Sequence, residues 1–439
     1  MNIAVVGLGH IGLPLAAQYA SKGHIVFGAD INRDVVLMIN EGRAYGDEPG
    51  LEEMVSLAVR EGRLSAQTTT SRAVSQADVV VIIVPLVVDD EKNIDYGSID
   101  AATRDVADGL KPGTLVVYET TLPVGDTRRR FAPALEAISG LDAGRDFSVA
   151  FSPERVYVGR VFSDLKRYPK IVGGIDREST VRARAFYEAV LDAEILAVDN
   201  AETAEFTKLA ETTYRDVNIA LANEFAQFAD EAGIDVMQGI NAANTQPFSH
   251  IHKPGAGVGG HCIPVYPYFY ANRTPYSRIA HLAREVNDQM ADYVIGRLER
   301  ALVGISGKTI AVFGWAYREN VKEDAFTVAR NLVKAIEDRG GCAVVNDPLY
   351  SNRELIARGL APYEIGDDIT LDAVVIQAAH AQYEDTDWTR VKGMRVILDA
   401  RNALDRSRLP DDVMYAGIGV QVLPDDAAVA GPVDNMRIS

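Results

Sequence analysis

Residues 1–30 read MNIAVVGLGHIGLPLAAQYASKGHIVFGAD. Asn2–Val6 is a short apolar run that stops at glycine, Leu13–Lys22 has apolar residues at helical spacing, and His24–Ala29 is a second apolar run closed by Asp30. Strand, turn, helix and strand in this order open a parallel βαβ unit. Gly7, Gly9 and Gly12 permit a tight turn after the strand, close approach of backbone to a pyrophosphate, and a helix packed hard on the sheet. The partial positive charge of that helix N-terminus then faces the phosphates. Asp30 is placed to accept both hydroxyls of an adenosine ribose and would repel a 2′-phosphate, so the expected cofactor is NAD rather than NADP. Arg33 is counted on the cofactor side, with an ordinary solvated charge as an equal reading. Pro85, just after the apolar run Val79–Val84, is counted with it.

Further strand-like runs at Thr114–Glu119 and Phe147–Phe151, with helical stretches between, predict a parallel sheet with helices on both faces across residues 1–195. Ala201–Glu231 keeps a helical pattern without Pro or Gly and stops at Gly233, a suitable terminator. A mostly helical segment then runs to about residue 303, broken by a glycine-rich loop. From residue 304 the pattern restarts, with strands at Lys308–Gly314, Cys342–Asn346, Ala373–Gln377 and Arg395–Asp399 and a helix at Val328–Asp338. The expected fold is α/β: two Rossmann-like doubly wound domains, 1–195 and 304–439, joined by a long central helix and helical segment, 196–303. The first would bind the dinucleotide and the middle segment would dimerise and carry catalytic groups.

With 439 residues and 47% apolar content, the chain is long enough for two or three cores and reads as soluble and globular. A formal charge of −18 sets a mean field that repels nucleic acid and anionic membrane, so neither is an expected partner. Two cysteines far apart make neither a disulfide framework nor a metal cluster. The N-terminal stretch lacks a basic region and cleavage site, and no apolar run approaches a membrane span. The expected location is cytoplasmic and no metal is expected.

The glycine-rich loop, Pro254–Pro267, reads PGAGVGGHCIPVYP and has four glycines in the six positions before His261. Such a loop frees backbone N–H groups to surround an anion and brings the Cys262 thiol to a ligand. A free cysteine is more often a small buried apolar residue, which is the expectation for Cys342. In this loop a ligand-facing thiol is the better reading. His261 is given no proton-transfer role, because successive loop residues often point apart.

Together the segments GLGHIGLPLA from Gly7, TTLPVGDT from Thr120, SPERVYVG from Ser152, AEFTKLAETTYRDVNIALANEFA from Ala204, GVGGHCIPVYPYF from Gly257, FGWAYRENVKED, NDPLY and LDARNAL resemble the UDP-glucose/GDP-mannose dehydrogenase family across essentially the whole chain. GGHC with RDVNIALANE looks most like the branch acting on UDP-N-acetylhexosamines. The resemblance implies oxidation of a sugar C6 alcohol to a carboxylate with two NAD+, the aldehyde being held on Cys262 as thiohemiacetal and then thioester. It assigns Lys208 to the developing oxyanion, a role that a helical lysine would not suggest alone. It assigns Glu154 and Thr121 to the hydrolytic water. It places Arg215, Asn218, Lys253, Gly255, Gly257, Gly259 and Arg318 along the nucleotide sugar and makes 304–439 the nucleotide-sugar-binding domain; His380 and Arg401, near the ends of late strands, are weaker candidates for the border of that site. A homodimer or higher homo-oligomer is expected.

Three positions depart from the family pattern. Tyr266 stands where the family has Asp, Thr212 where it has an oxyanion-supporting Asn, and Ala325 where it has an Arg that reaches the cofactor. A phenol is a poor base near neutrality, and a threonine hydroxyl has shorter reach than an amide. The leading expectation is therefore a UDP-sugar 6-dehydrogenase. The alternatives are a redirected homologue performing one two-electron oxidation or an epimerisation, and a silent nucleotide-binding protein that controls a partner.

Overall fold

The computed structural model describes residues 1–420 except residues 47 and 90. It divides into two compact units: Met1–Thr212 with Val265–Ser277, and Thr213–Pro264 with the described residues from Arg278 on.

The strands of the first unit are β1 (Asn2–Val6), β2 (Ile25–Ala29), β3 (Leu64–Gln67), β4 (Val79–Ile82), a small hairpin of β5 (Val87–Val88) and β6 (Ile94–Asp95), β7 (Leu115–Tyr118), β8 (Ser148–Phe151), β9 (Lys170–Gly174) and β10 (Ile195–Ala197). Apart from the hairpin they form one sheet in the order β10-β9-β8-β7-β4-β1-β2-β3. Alternate residues of each strand feed opposite cores. Ile3, Val5, Val81 and Val117 pack with the helix Gly12–Ser21 on one face, while Ala4, Val6, Val80, Ile82 and Val116 pack with Phe131 and Leu135 on the other. Burial on both faces explains why these strands read as unbroken apolar runs. The strand order reverses between β1 and β4, which opens a crevice at their C-terminal ends.

One expectation is corrected here. The sheet is not wholly parallel, because β9 runs antiparallel to β8, with Ala150 opposite Gly174. Strand direction was not legible, since KIVGG is buried at every position and has no alternation that a reversal would disturb.

The second unit contains β11 (Thr309–Phe313), β12 (Cys342–Asn346), β13 (Ala373–Ile376), β14 (Val396–Asp399) and β15 (Met414–Gly417), a parallel sheet in the order β12-β11-β13-β14-β15. Ile310 and Val312 face a core with Val294, Ile295 and Leu298 of the helix Arg278–Leu302 and Leu332 and Ile336 of the helix Val328–Asp338. Ala311 and Phe313 face another core with Trp388 and Tyr383. The order reverses between β11 and β13, giving a second switch-point crevice. Both sheets thus agree with a doubly wound α/β fold. Cys342 is exposed rather than part of a core, because it opens the edge strand β12 and burial begins only at Ala343. The long helix is Ala201–Ala232, and Gly233 follows it in the left-handed region at φ 69°.

Candidate active site

In the first unit, the β1–helix turn has the geometry of a phosphate cradle. Gly7 has φ 91°, and its N–H donates to Ala29 O at 2.9 Å. A Cβ on Gly7 would lie 2.9 Å from the carbonyl oxygen of Ile83, and one on Gly12 would collide with the carbonyl oxygen of Gly7. Around Gly9 the space is open within 4 Å, so backbone is exposed where a phosphate would approach. The helix Gly12–Ser21 has no side-chain cap at its N-terminus. Asp30, half-buried, accepts from Leu8 N–H at 2.8 Å and Asn32 N–H at 2.9 Å, one on each carboxylate oxygen. These bonds fix the carboxylate and leave lone pairs for a diol. Arg33 is exposed at the start of the helix Arg33–Asn40, and Pro85 is exposed just beyond β4. The turn, the fixed acid and the uncapped helix end fit a dinucleotide.

Deeper in the same unit lies a buried charged cluster. Glu119 follows β7, Glu154 follows β8 and Lys170 opens β9. Lys170 Nζ donates to Glu154 Oε2 at 2.8 Å and to Glu119 Oε2 at 3.1 Å. Tyr187 Oη and Tyr19 Oη donate to Glu119 Oε1 at 2.5 and 3.2 Å, and the Arg155 N–H donates to Glu154 Oε1 at 2.7 Å. Burial pushes Glu119 up to about 7 against the pull of Lys170. For Glu154 burial also acts upward, but the Lys170 ammonium outweighs it and holds the carboxyl below its usual range. Thr121 is buried beyond β7, and its neighbour Thr120 donates to Val84 O at 2.7 Å, tying the ends of β7 and β4 together. Lys208 is buried on the long helix and has no ion-pair partner among the described residues. The Thr212 hydroxyl donates to Lys208 O at 2.9 Å, so its proton is engaged by the helix backbone rather than held out toward a ligand. Tyr266 opens the short helix Tyr266–Ala271, with its ring 5.3 Å from that of Phe269.

The second unit holds the cysteine loop. Gly257 and Gly260 have φ 126° and 90°. Gly260 N–H donates to Ala325 O at 2.8 Å, and a Cβ on Gly259 would lie 2.9 Å from Phe326 O. A Cβ on Gly255 would lie 3.0 Å from the Arg401 guanidinium, which is anchored through Nε to Gln377 O. Burial draws the Arg401 pKa down. The loop therefore packs against backbone that follows β11 and β14, and Arg401 links it to Gln377 after β13, at the switch-point end of the sheet. Cys262 is partly exposed, and the exposed His261 lies 3.7 Å from Glu323. Lys253 is exposed and Arg215 half-buried. The Asn218 amide donates to Tyr214 O at 2.9 Å, and Arg318 Nε donates to Tyr317 Oη at 2.9 Å. His380 is fully enclosed, with Nδ1 accepting from Asn320 N–H at 2.9 Å and Nε2 3.1 Å from Asp347.

Sequence reasoning missed the residues that anchor this loop. Asn223 Oδ1 accepts from Gly255 N–H at 2.9 Å, and its amide donates to Asn287 Oδ1 at 2.8 Å. Asn287 in turn donates to Asp216 Oδ1 at 2.8 Å, and Arg284 joins Asp216 at 2.7 Å and Ile263 O at 3.4 Å. Burial pushes Asp216 up to about 6, with Arg284 pulling the other way. Asp216 and Asn223 are seven positions apart, two helical turns, and that spacing beside Arg215 and Asn218 was the available signal.

Two doubly wound units, one with a dinucleotide cradle and one with a glycine-rich thiol loop at its switch point, define a nucleotide-dependent oxidoreductase. The chain matches the UDP-glucose/GDP-mannose dehydrogenase family in its NAD binding domain over residues 1–191, its central domain over 202–289 and its UDP binding domain over 311–406. It belongs to that family and is an NAD-dependent dehydrogenase. It is 36% identical to the UDP-N-acetyl-D-mannosamine dehydrogenase of Pyrococcus horikoshii, covering 95% of this chain and 99% of that one. It is also 36% identical to the NDP-N-acetyl-D-galactosaminuronic acid dehydrogenase of Ralstonia nicotianae, covering 93% and 97%. The solved structure of the Pyrococcus horikoshii enzyme superposes with a TM-score of 0.87 at 33% identity, over 95% of this chain and 99% of that one. Among the described residues no helix is long and apolar enough to cross a membrane.

Proposed function

We propose that the protein oxidises the C6 alcohol of a UDP-N-acetylhexosamine, of the N-acetylmannosamine type, to the uronate through a thioester on Cys262. The observation that carries this reading is the anchored loop, in which Asn223 and Arg284 hold Gly255 and Ile263 on either side of a partly exposed thiol. The names of the full-length relatives supply the sugar class. NAD+, held by the turn of Gly7, Gly9 and Gly12 with Asp30 at its ribose, would supply the hydride acceptor for both oxidations. Lys208 stabilises the negative charge that develops on the C6 oxygen. The Cys262 sulfur adds to the aldehyde carbon, keeping it bound between the two oxidations. Water then adds to the thioester carbonyl carbon beside Thr121, Glu154 takes its proton, the C–S bond breaks, and the sulfur leaves as thiolate. Gly255, Gly257 and Gly259 let the loop pack close on Arg401, Asn287 and Phe326 and so shape the nucleotide-sugar site, with Lys253, Arg215, Asn218 and Arg318 around the diphosphate.

A second reading, one oxidation or a redirected reaction, is favoured by the Thr212 hydroxyl that the helix backbone already engages. NADH formed per UDP-N-acetylmannosamine and UDP-N-acetylglucosamine consumed separates the two. Two NADH per sugar, with the second lost in Cys262→Ser, supports the thioester route. One NADH supports the second reading, and binding without turnover leaves a silent homologue.

The working form is proposed to be a homodimer built on the long helix. Phe206, Tyr214, Leu221, Phe225 and Phe228 are all exposed there and fall within an arc of about 100° at 3.6 residues per turn.

A further inference from the structure

One buried ammonium serves two carboxylates of unequal exposure. The Lys170 side chain is 5% exposed, Glu119 0% and Glu154 11%. Two anions and one cation leave a dry cluster one negative charge in excess, which a protein interior tolerates poorly unless a proton is taken up. The phenols of Tyr19 and Tyr187, from the helices Gly12–Ser21 and Arg177–Val190, close over Glu119. Glu154 is the member nearest the surface. The remaining charged neighbours are Arg155, whose Nε is 3.1 Å from Glu211, and Asp164, which lines the small hollow beside Glu154 and Lys170.

We propose that Glu119 and Lys170 are positioning residues for Glu154: Lys170 holds it ionised in one orientation, and Glu119 is the member that carries the cluster's extra proton. This rests on the reading of Glu154 as the base for the hydrolytic water. The electrostatics agree in direction, since Glu119 is the carboxyl pushed up and Glu154 the one held down. Both carboxylates also keep Lys170 protonated despite its burial. A base that stays ionised near neutrality can take the water proton in the step that releases Cys262.

The test uses the full-length protein with NAD+ and UDP-N-acetylmannosamine. Quenched-flow mass spectrometry reads the acyl adduct on Cys262, stopped-flow absorbance reads hydride transfer, and the pH profile of kcat reads the base. Lys170→Met is expected to build up acyl adduct roughly tenfold while hydride transfer stays within about twofold, and to move the acid limb up by about one pH unit. Glu119→Gln reproduces the protonated acid in shape and charge, so its limb is expected to stay within about 0.3 pH unit of the wild type. A merely structural role would not move the limb in one variant and leave it in place in the other. A folded Lys170→Met with unchanged limb and adduct level overturns the proposal, as does a Glu119→Gln limb that falls, and if Lys170→Met does not fold, the Glu119→Gln limb decides. Glu154→Gln is the control. If it deacylates normally, the reading of Glu154 fails and takes the proposal with it; if it accumulates adduct while the Lys170→Met limb stays fixed, the proposal alone fails.

Discussion

The hydroxyl of Thr212 lies 2.9 Å from the backbone carbonyl of Lys208, one turn earlier on the same helix, and 3.2 Å from that of Leu209. Its one proton is shared between two main-chain oxygens, the back-bonding habit of threonine inside helices. Thr212 is therefore expected to take the place of the family asparagine structurally and not functionally. Thr212→Val is expected to change kcat by less than about threefold, because no oxyanion donor is removed. Steady-state kinetics on the folded variant check this, and a loss of a hundredfold would restore Thr212 to the reaction.

Asn223→Ala removes the acceptor for Gly255 N–H and the donor to Asn287 in one change. Leaving buried polar groups without partners costs about 1–3 kcal/mol each, so a lower urea midpoint is expected. The freed loop should also raise KM for the nucleotide sugar more than KM for NAD+. Equal rises in both would argue against a loop-specific role.

Glu205 accepts Gly125 N–H at 2.5 Å, Thr127 N–H at 2.9 Å and the Thr127 hydroxyl at 2.6 Å, all in a buried site. Burial pushes it from 4.5 up to about 7. Between these values the native state binds more protons than the unfolded chain, so stability falls as pH rises. The loss from this group is on the order of 3 kcal/mol, complete by about pH 8. Denaturant midpoints at pH 5 and pH 8 should therefore differ less in Glu205→Gln than in the wild type. An equal difference in both proteins would rule the group out.

Phe225 and Phe228 are 40% and 62% exposed on the long helix. Replacing both by Asp would place charge in the proposed dimer interface and leave the buried cores untouched. Light scattering is expected to give twice 47.6 kDa for the wild type and the single-chain mass for the variant. A monomeric wild type would dispose of the dimer.

Much of the fold was legible because buried parallel strands must be apolar and tight turns need glycine. Asn2–Val6, Cys342–Asn346 and Val328–Asp338 fall where the pattern puts them. The direction of β9 was hidden, because a strand buried throughout reads the same either way. The exposure of Cys342 was also hidden, because an edge position depends on sheet order. Within the site, glycine spacing and the cysteine could be read directly, whereas Asp216, Asn223 and Asn287 look like ordinary helical polar residues until their partners are seen.

By itself the sequence determined two doubly wound units, a dinucleotide turn and a thiol loop, because each depends on residues close together along the chain. Only the tertiary structure decided which groups share a charge. Glu119 and Lys170 are 51 positions apart and meet because β7, β8 and β9 lie side by side, which brings both carboxylates onto one ammonium. Hydrogen bonds and Coulomb forces act through space, and the sheet order sets those distances.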